Sequence, residues 1–100
     1  MEPRTKILGG NSMELYTKKL IHIYCGHHDD MRVLGVAISV LYQKADYVLY
    51  HEMAEEPFPQ FCVLVYISPG EVEELREELT NLGFTIENES SDYFQTYVRP

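Results

Sequence analysis

The stretch from Lys18 to Leu41 constrains the fold most, because its hydrophobic period changes from that of a strand to that of a helix. Between residues 19 and 25 the apolar side chains alternate with larger or polar ones, as in an extended strand with two distinct faces. Gly26 permits a turn, and Asp29 or Asp30 can cap a helix by accepting its free N–H groups. Apolar residues then recur at helical spacing from Met31 to Gln43. The sequence predicts a strand, a polar turn and a helix.

A second helix has the clearest local signal in the chain. Ser68 precedes Pro69, and Glu71 lies three residues after Ser68, which is the pattern of a capping box with proline in the first helical position. Gly83 then supplies a left-handed stop before an apolar residue. One face of this predicted helix is apolar through Val72, Leu75, Leu79 and Leu82.

Four further segments are predicted strands. Ala45–Met53 is rich in Tyr and Val, and it ends where Pro57 and Pro59 interrupt any ladder. Phe61–Ile67 is almost continuously apolar, which predicts a central strand covered on both faces. The last two are Thr85–Glu89 and Tyr93–Val98.

The order of these elements is βαββαβ with a possible extra C-terminal strand. Such an order predicts an α+β, ferredoxin-like sandwich with both helices on one face of an antiparallel sheet. One hundred residues suffice for one core. We assign residues 18–100 to this single domain, and residues 1–17 to a mobile leader or a short extra strand.

Composition limits the classes of partner. A net charge of −8 disfavours direct binding of nucleic acid and of negatively charged membranes, both of which need clustered Lys and Arg. No apolar run approaches the roughly 20 residues of a membrane span, and no secretory signal is visible. Two cysteines are too few for a disulfide scaffold. A cytoplasmic protein with reduced thiols is the simplest interpretation.

Leu20–Glu87 resembles an ACT domain, the small-molecule-sensing module of metabolic enzymes and regulators. The similarity lies in a strand that ends in CGHHDD, a helix with a central glycine (VLGVAISVL) and the closing segment EELREELTNLGFTIE. The resemblance implies a homodimer formed through sheet edges or helices. It also implies ligands bound near the first turn, at the subunit interface.

The first turn is therefore the main candidate ligand site. Backbone N–H groups at a helix start, together with imidazoles, can hold a small anion or metabolite. Its residues are Gly26, His27, His28, Asp29 and Asp30. Simple capping of the helix by the aspartates, with exposed histidines, explains the same residues. His beside Asp could act as a general base, but no nucleophile with a positioned partner is evident, so we expect a non-enzymatic protein.

A transition-metal site is a second candidate. The chain is also similar to the ACT-like regulatory domain of nickel-responsive repressors, which implies ligands at His27, His28, His51 and Cys62. By strand parity, His22 and Cys62 share the sheet face away from the helices if the more β-branched faces meet the helices. His51 joins them if the second strand points Leu49 and His51 the same way. Imidazole and thiolate suit zinc, nickel or copper. The alternative is that these residues are ordinary packed sheet residues.

An acidic partner surface is the third candidate. The polar face of the second helix carries Glu73, Glu74, Glu77 and Glu78. Together with Phe58, a rigid aromatic between two prolines, they could bind a basic protein in the manner of a nucleic-acid mimic. A solvated helix face, with Phe58 folded back on the sheet, is the plainer interpretation.

These signals favour a non-enzymatic small-molecule-sensing or protein-interaction module that acts as a homodimer. An acidic inhibitor or adaptor for a basic protein is the first alternative. A transition-metal-binding dimer is the second.

Overall fold

The computed structural model describes residues 16–26, 31–88 and 93–99, and these form two helices and five strands. In chain order the elements are β1 (Thr17–Cys25), α1 (Met31–Lys44), β2 (Tyr47–Ala54), β3 (Gln60–Ile67), α2 (Pro69–Asn81), β4 (Thr85–Ile86) and β5 (Phe94–Arg99). The predicted α+β class is confirmed. Thr17, which we assigned to the leader, is the first residue of β1.

The strands form one sheet in the order β2-β3-β1-β5-β4. This sheet is mixed rather than antiparallel as predicted, because β5 runs parallel to β1, from Leu20 opposite Phe94 to Cys25 opposite Arg99. The two residues of β4 are too few to flank the length of β1. The longer β5 lies there instead, and β4 pairs antiparallel with its far side.

The core lies between the helices and one face of the sheet. Alternate residues of β1 and β3 are fully buried there, including Ile21 and Val63, which are direct neighbours in the ladder. The helices contribute Leu34, Ala37, Leu41, Val72, Leu75 and Leu79. The apolar residues that alternate in the strands and those that recur at helical spacing therefore pack together in one layer, as expected.

Helix α2 begins at Pro69, as its sequence predicts, but the predicted capping box is incomplete. Ser68 has the extended backbone of a cap residue, and its side chain makes no capping hydrogen bond. The predicted stop is confirmed, because Gly83 has φ of +99°. The Gly83 N–H donates to the Thr80 carbonyl, and the Phe84 N–H donates to the Leu79 carbonyl. These bonds give partners to carbonyl groups in the last turn of the helix.

Strand β3 is central, as predicted, but it is covered on one face only. Phe61, Val63 and Val65 face the helices and are buried, whereas the alternate residues of β3 are only half-buried. The second face has no covering layer within residues 16–26, 31–88 and 93–99. We call this second face of β1, β2, β3 and β5 the open face.

Candidate functional site

A shallow, open cleft lies where the start of α1, the end of α2 and the end of β5 converge. It has a volume of about 360 Å³, and its lining residues are Arg32, Val33, Val36, Leu82 and Arg99. Three apolar side chains form its walls, and two guanidinium groups supply positive charge. We call it the arginine cleft. Its volume lies in the range of small-molecule sites, which are mostly apolar with a few polar groups that orient the ligand.

The end of helix α2 holds Arg99 in place. Arg99 Nε donates a hydrogen bond of 2.8 Å to the carbonyl oxygen of Leu82, the residue at the helix C-terminus. Gly83 makes room for this contact, because a Cβ built on Gly83 would lie 2.8 Å from Arg99 Nε. A guanidinium has five N–H donors, so it can hold a backbone contact and also engage an anion.

The arginine cleft lies next to the predicted ligand turn. Cys25 is the ladder partner of Arg99, and Gly26 follows it directly. On the other side of the turn, Met31 begins α1 and Arg32 lines the cleft. Gly26 is buried. The rest of the predicted ligand site, His27, His28, Asp29 and Asp30, lies outside the described residues.

Two of the predicted metal ligands are neighbours on the open face. His22 of β1 is directly opposite Cys62 of β3, and Glu52 of β2 is directly opposite Cys62 on its other side. His22 Nε2 is 3.0 Å from Gln60 Oε1. Burial raises the pKa of the Cys62 thiol, and the nearby Glu52 carboxylate raises it further. A concavity of about 350 Å³ opens over these residues.

The expectation that His51 shares this face is wrong. The register of β2 shifts between Val48 and Tyr50, so Leu49 is an extra residue and the alternation of faces restarts after it. His51 therefore lies opposite Val63 on the helix side, where its Nδ1 is 2.9 Å from Tyr42 Oη. Within the described part of the chain, no group of three or more His, Cys, Asp or Glu side chains could hold a metal ion.

The acidic residues of α2 and Phe58 do not form one surface. Glu73, Glu74 and Glu77 are exposed on the helix layer. Phe58 is half-buried and packs edge-on against the ring of Tyr24, an open-face residue, with ring centroids 6.0 Å apart. Phe58 thus folds back on the sheet, which is the plainer of the two interpretations of its sequence.

Lys44 neutralises part of the acidic face. Its Nζ lies 2.8 Å from Glu78 Oε2 and 2.9 Å from Glu74 Oε1. The hydrogen bonds to Glu78 and Glu74 raise the pKa of Lys44 above its ordinary value. Two of the four glutamates are therefore engaged within the chain, so the net negative charge that α2 presents to solvent is smaller than the sequence suggests.

Sequence reasoning missed Arg32 and Arg99 as a pair. They are 67 positions apart by their numbers in the chain and meet only because β5 pairs in parallel with β1. The available signal was weak: Arg32 directly follows the predicted turn, and Arg99 is the only basic residue after Arg76.

Comparison with protein-family models, with curated proteins and with solved structures finds no match for this chain. Among the described residues, neither helix is long and apolar enough to cross a membrane.

Proposed function

We propose that this chain is a non-enzymatic, homodimeric sensing module that binds a small carboxylate-bearing molecule in the arginine cleft. The observation that supports this most is the convergence of Arg32 and Arg99 on an apolar cleft beside Gly26. Two guanidinium groups on one concave surface carry several N–H donors each, which can hold a carboxylate besides their contacts within the chain. The ligand's apolar part would contact Val33, Val36 and Leu82.

The same proposal includes a ferredoxin-like, ACT-like architecture with β5 inserted between β1 and β4. The mixed five-stranded sheet and the two packed helices are consistent with it. A location in the cytoplasm belongs to the proposal as well. The buried Cys25 and the half-buried Cys62 are thiols rather than halves of a disulfide, which fits a reducing compartment.

Exposed apolar surfaces support the homodimer. Tyr47, Leu49, Tyr50 and Met53 of β2 are large apolar or aromatic residues that are exposed. Strand β2 is an edge strand of eight residues with Glu52 as its one charged side chain. Natural edge strands usually carry more charged residues or prolines, which prevent them from pairing with a strand of another chain. The open face is a second such surface.

A binding experiment with matched probes tests the ligand site. Hexanoate and phenylacetate should bind the full chain by isothermal titration calorimetry, whereas hexylamine and phenethylamine of similar shape should not. A hydrogen-bonded charge pair contributes about 1.5–3 kcal/mol. Arg99→Gln or Arg32→Gln should therefore weaken binding by about tenfold or more. Equal binding of acids and amines, or acid binding unchanged in both variants, would contradict the proposal.

The acidic adaptor remains a second candidate because Glu73 and Glu77 are exposed on α2. A basic protein bound through these carboxylates would dissociate steeply with added salt, since surface charges are screened. Glu73→Gln with Glu77→Gln should then abolish binding of a basic probe such as polylysine. Arg99→Gln should leave that binding unchanged, which separates the two candidates.

A further inference from the structure

The open face is more apolar than a solvent-facing sheet requires. One row across the four longer strands consists of Tyr50, Leu64, Leu20 and Phe94, which are direct neighbours in the ladder. Sheets with one face in water usually alternate apolar and polar residues. Here β3 carries Leu64 and Tyr66 on its uncovered side, which is the composition of a strand buried on both faces.

The next row contains two side chains of the types that zinc binds. His22 and Cys62 are direct cross-strand neighbours, and zinc favours imidazole and thiolate ligands. The Gln60 amide nitrogen faces the Phe58 carbonyl at 3.5 Å, which leaves Gln60 Oε1 to accept a hydrogen bond from His22 Nε2 at 3.0 Å. That bond fixes the ring and leaves Nδ1 as the ligand atom, as carbonyl partners of zinc-bound histidines do. Two ligands are too few for a structural zinc, which takes four.

We propose that the open face binds a second copy of this chain, and that His22 and Cys62 of both copies together bind one Zn²⁺ ion. The inference deepens the homodimer of the proposed function by naming its surface and its metal. A two-fold axis parallel to β1 and β3, running between them, would place β1 of one copy over β3 of the other. Leu20 would then face Leu64 of the second copy, and His22 would face its Cys62.

Charge supports a second copy as the occupant. The charged residues of this face on the four longer strands are Lys18 and Glu52, which have opposite signs. The acidic residues of α2 lie on the opposite layer. Two molecules of net charge −8 repel each other least when they approach through a balanced face and keep their acidic helices apart.

The available area explains why a metal is needed. Four strands spaced about 4.8 Å apart, with four rows about 6.8 Å apart, cover roughly 500 Å² of flat sheet. A stable interface buries about 800 Å² per partner, so a face of this size by itself supports only a weak dimer. Stacked sheets lie about 10 Å apart, which puts the midplane about 5 Å from each backbone. A cysteine sulfur and a Zn–S bond of about 2.3 Å span that distance.

Sedimentation equilibrium of the full chain, with Zn²⁺ and with a chelator, tests the inference. We expect zinc to tighten the dimer and to bind at one ion per two chains. Cys62→Ser and His22→Gln should each weaken the zinc-linked dimer about a hundredfold, and Gln60→Ala about tenfold. Cobalt in place of zinc should show thiolate-to-metal absorption that is lost in Cys62→Ser.

His51→Ala is the matched control, because it removes a histidine on the opposite face and should leave zinc-linked dimerisation unchanged. Leu64→Lys should give a monomer with or without zinc, while circular dichroism shows an intact fold. One zinc per chain, or zinc binding unaltered in Cys62→Ser, would overturn the metal site. A dimer that persists in Leu64→Lys would overturn the surface. Carboxylate binding at the arginine cleft is unaffected by either failure, so the two proposals are separately testable.

Discussion

Gly83 connects the end of helix α2 to the arginine cleft. Its φ of +99° lies in a region that side-chain-bearing residues rarely adopt. The space where a Cβ would lie is taken by Arg99, whose Nε donates to the Leu82 carbonyl. One position thus ends the helix, permits the reversal into Phe84 and makes room for an arginine of the candidate site.

Replacing Gly83 should therefore affect both stability and binding. Gly83→Ala forces a strained backbone, which costs about 1–3 kcal/mol, and displaces Arg99. We expect a lower midpoint of urea unfolding and weaker binding of hexanoate. Gly35→Ala is the control, because nothing lies within 4 Å of a Cβ built there and the site is an exposed helix position. That variant should be more stable by about 0.5–1 kcal/mol. Similar effects of both substitutions would contradict this account of Gly83.

The raised pKa of Tyr97 leads us to expect that the folded protein loses stability at alkaline pH. Burial raises the pKa of its phenol from 10.0 to about 12, with nearby Glu73 adding to the rise and Arg76 opposing it. Between pH 10 and about 12 the folded state keeps the phenol proton that the unfolded chain has lost. The stability that this proton contributes is therefore fully present below pH 10 and is lost as the pH rises to about 12. The two-unit difference corresponds to at most about 2.7 kcal/mol.

Urea unfolding at a series of pH values measures this loss, with Tyr97→Phe as the comparison. The variant lacks the titrating proton and also the bond from Tyr97 Oη to Gln95 Oε1. It should start less stable at neutral pH and lose less stability across the alkaline range. Parallel curves for the two proteins would show that Tyr97 does not control the alkaline limit.

At the scale of elements, two features of the sheet could not be predicted from the sequence pattern: the faces of β2 and the position of β5. The bulge at Leu49 reverses the faces of β2, so His51 contacts Tyr42 and Phe61 instead of Cys62. A bulge depends on how a strand fits its neighbour, and nothing local in YVLYHEM marks it. The choice of β5 as the neighbour of β1 is likewise set by tertiary pairing.

The bulge makes the chain tolerant of one deletion. Without Leu49, Val48 and Tyr50 become consecutive and still lie opposite Val65 and Leu64, so every other residue of β2 keeps its face. We expect this deletion to fold with a thermal midpoint near that of the parent. Deleting Leu64 from β3 should prevent folding, because a one-residue slip in a regular central strand turns its remaining buried residues outward. Loss of fold in both deletions would contradict the assigned bulge.

At the scale of the whole molecule, the sequence predicts the layers better than the sites. Strand β1, helix α1, strand β3 and helix α2 follow from hydrophobic periods and caps, which are local properties. The arginine cleft brings together residues from three elements, so no spacing in the chain indicates it. That His22 and Cys62 share one sheet face was predictable from strand parity, because both strands are regular there, whereas their direct pairing depends on the register of β1 with β3.

The central claim is that the arginine cleft is the ligand site, and chemical-shift mapping tests it most directly. Hexanoate titrated into the isotope-labelled full chain should shift the amide signals of Arg32, Val33, Val36, Leu82, Gly83 and Arg99. In Arg99→Gln, about ten times more hexanoate or a higher excess should be needed to reach the same shifts. Shifts confined to β2 or to the acidic face of α2, or no saturable shifts at all, would contradict the claim.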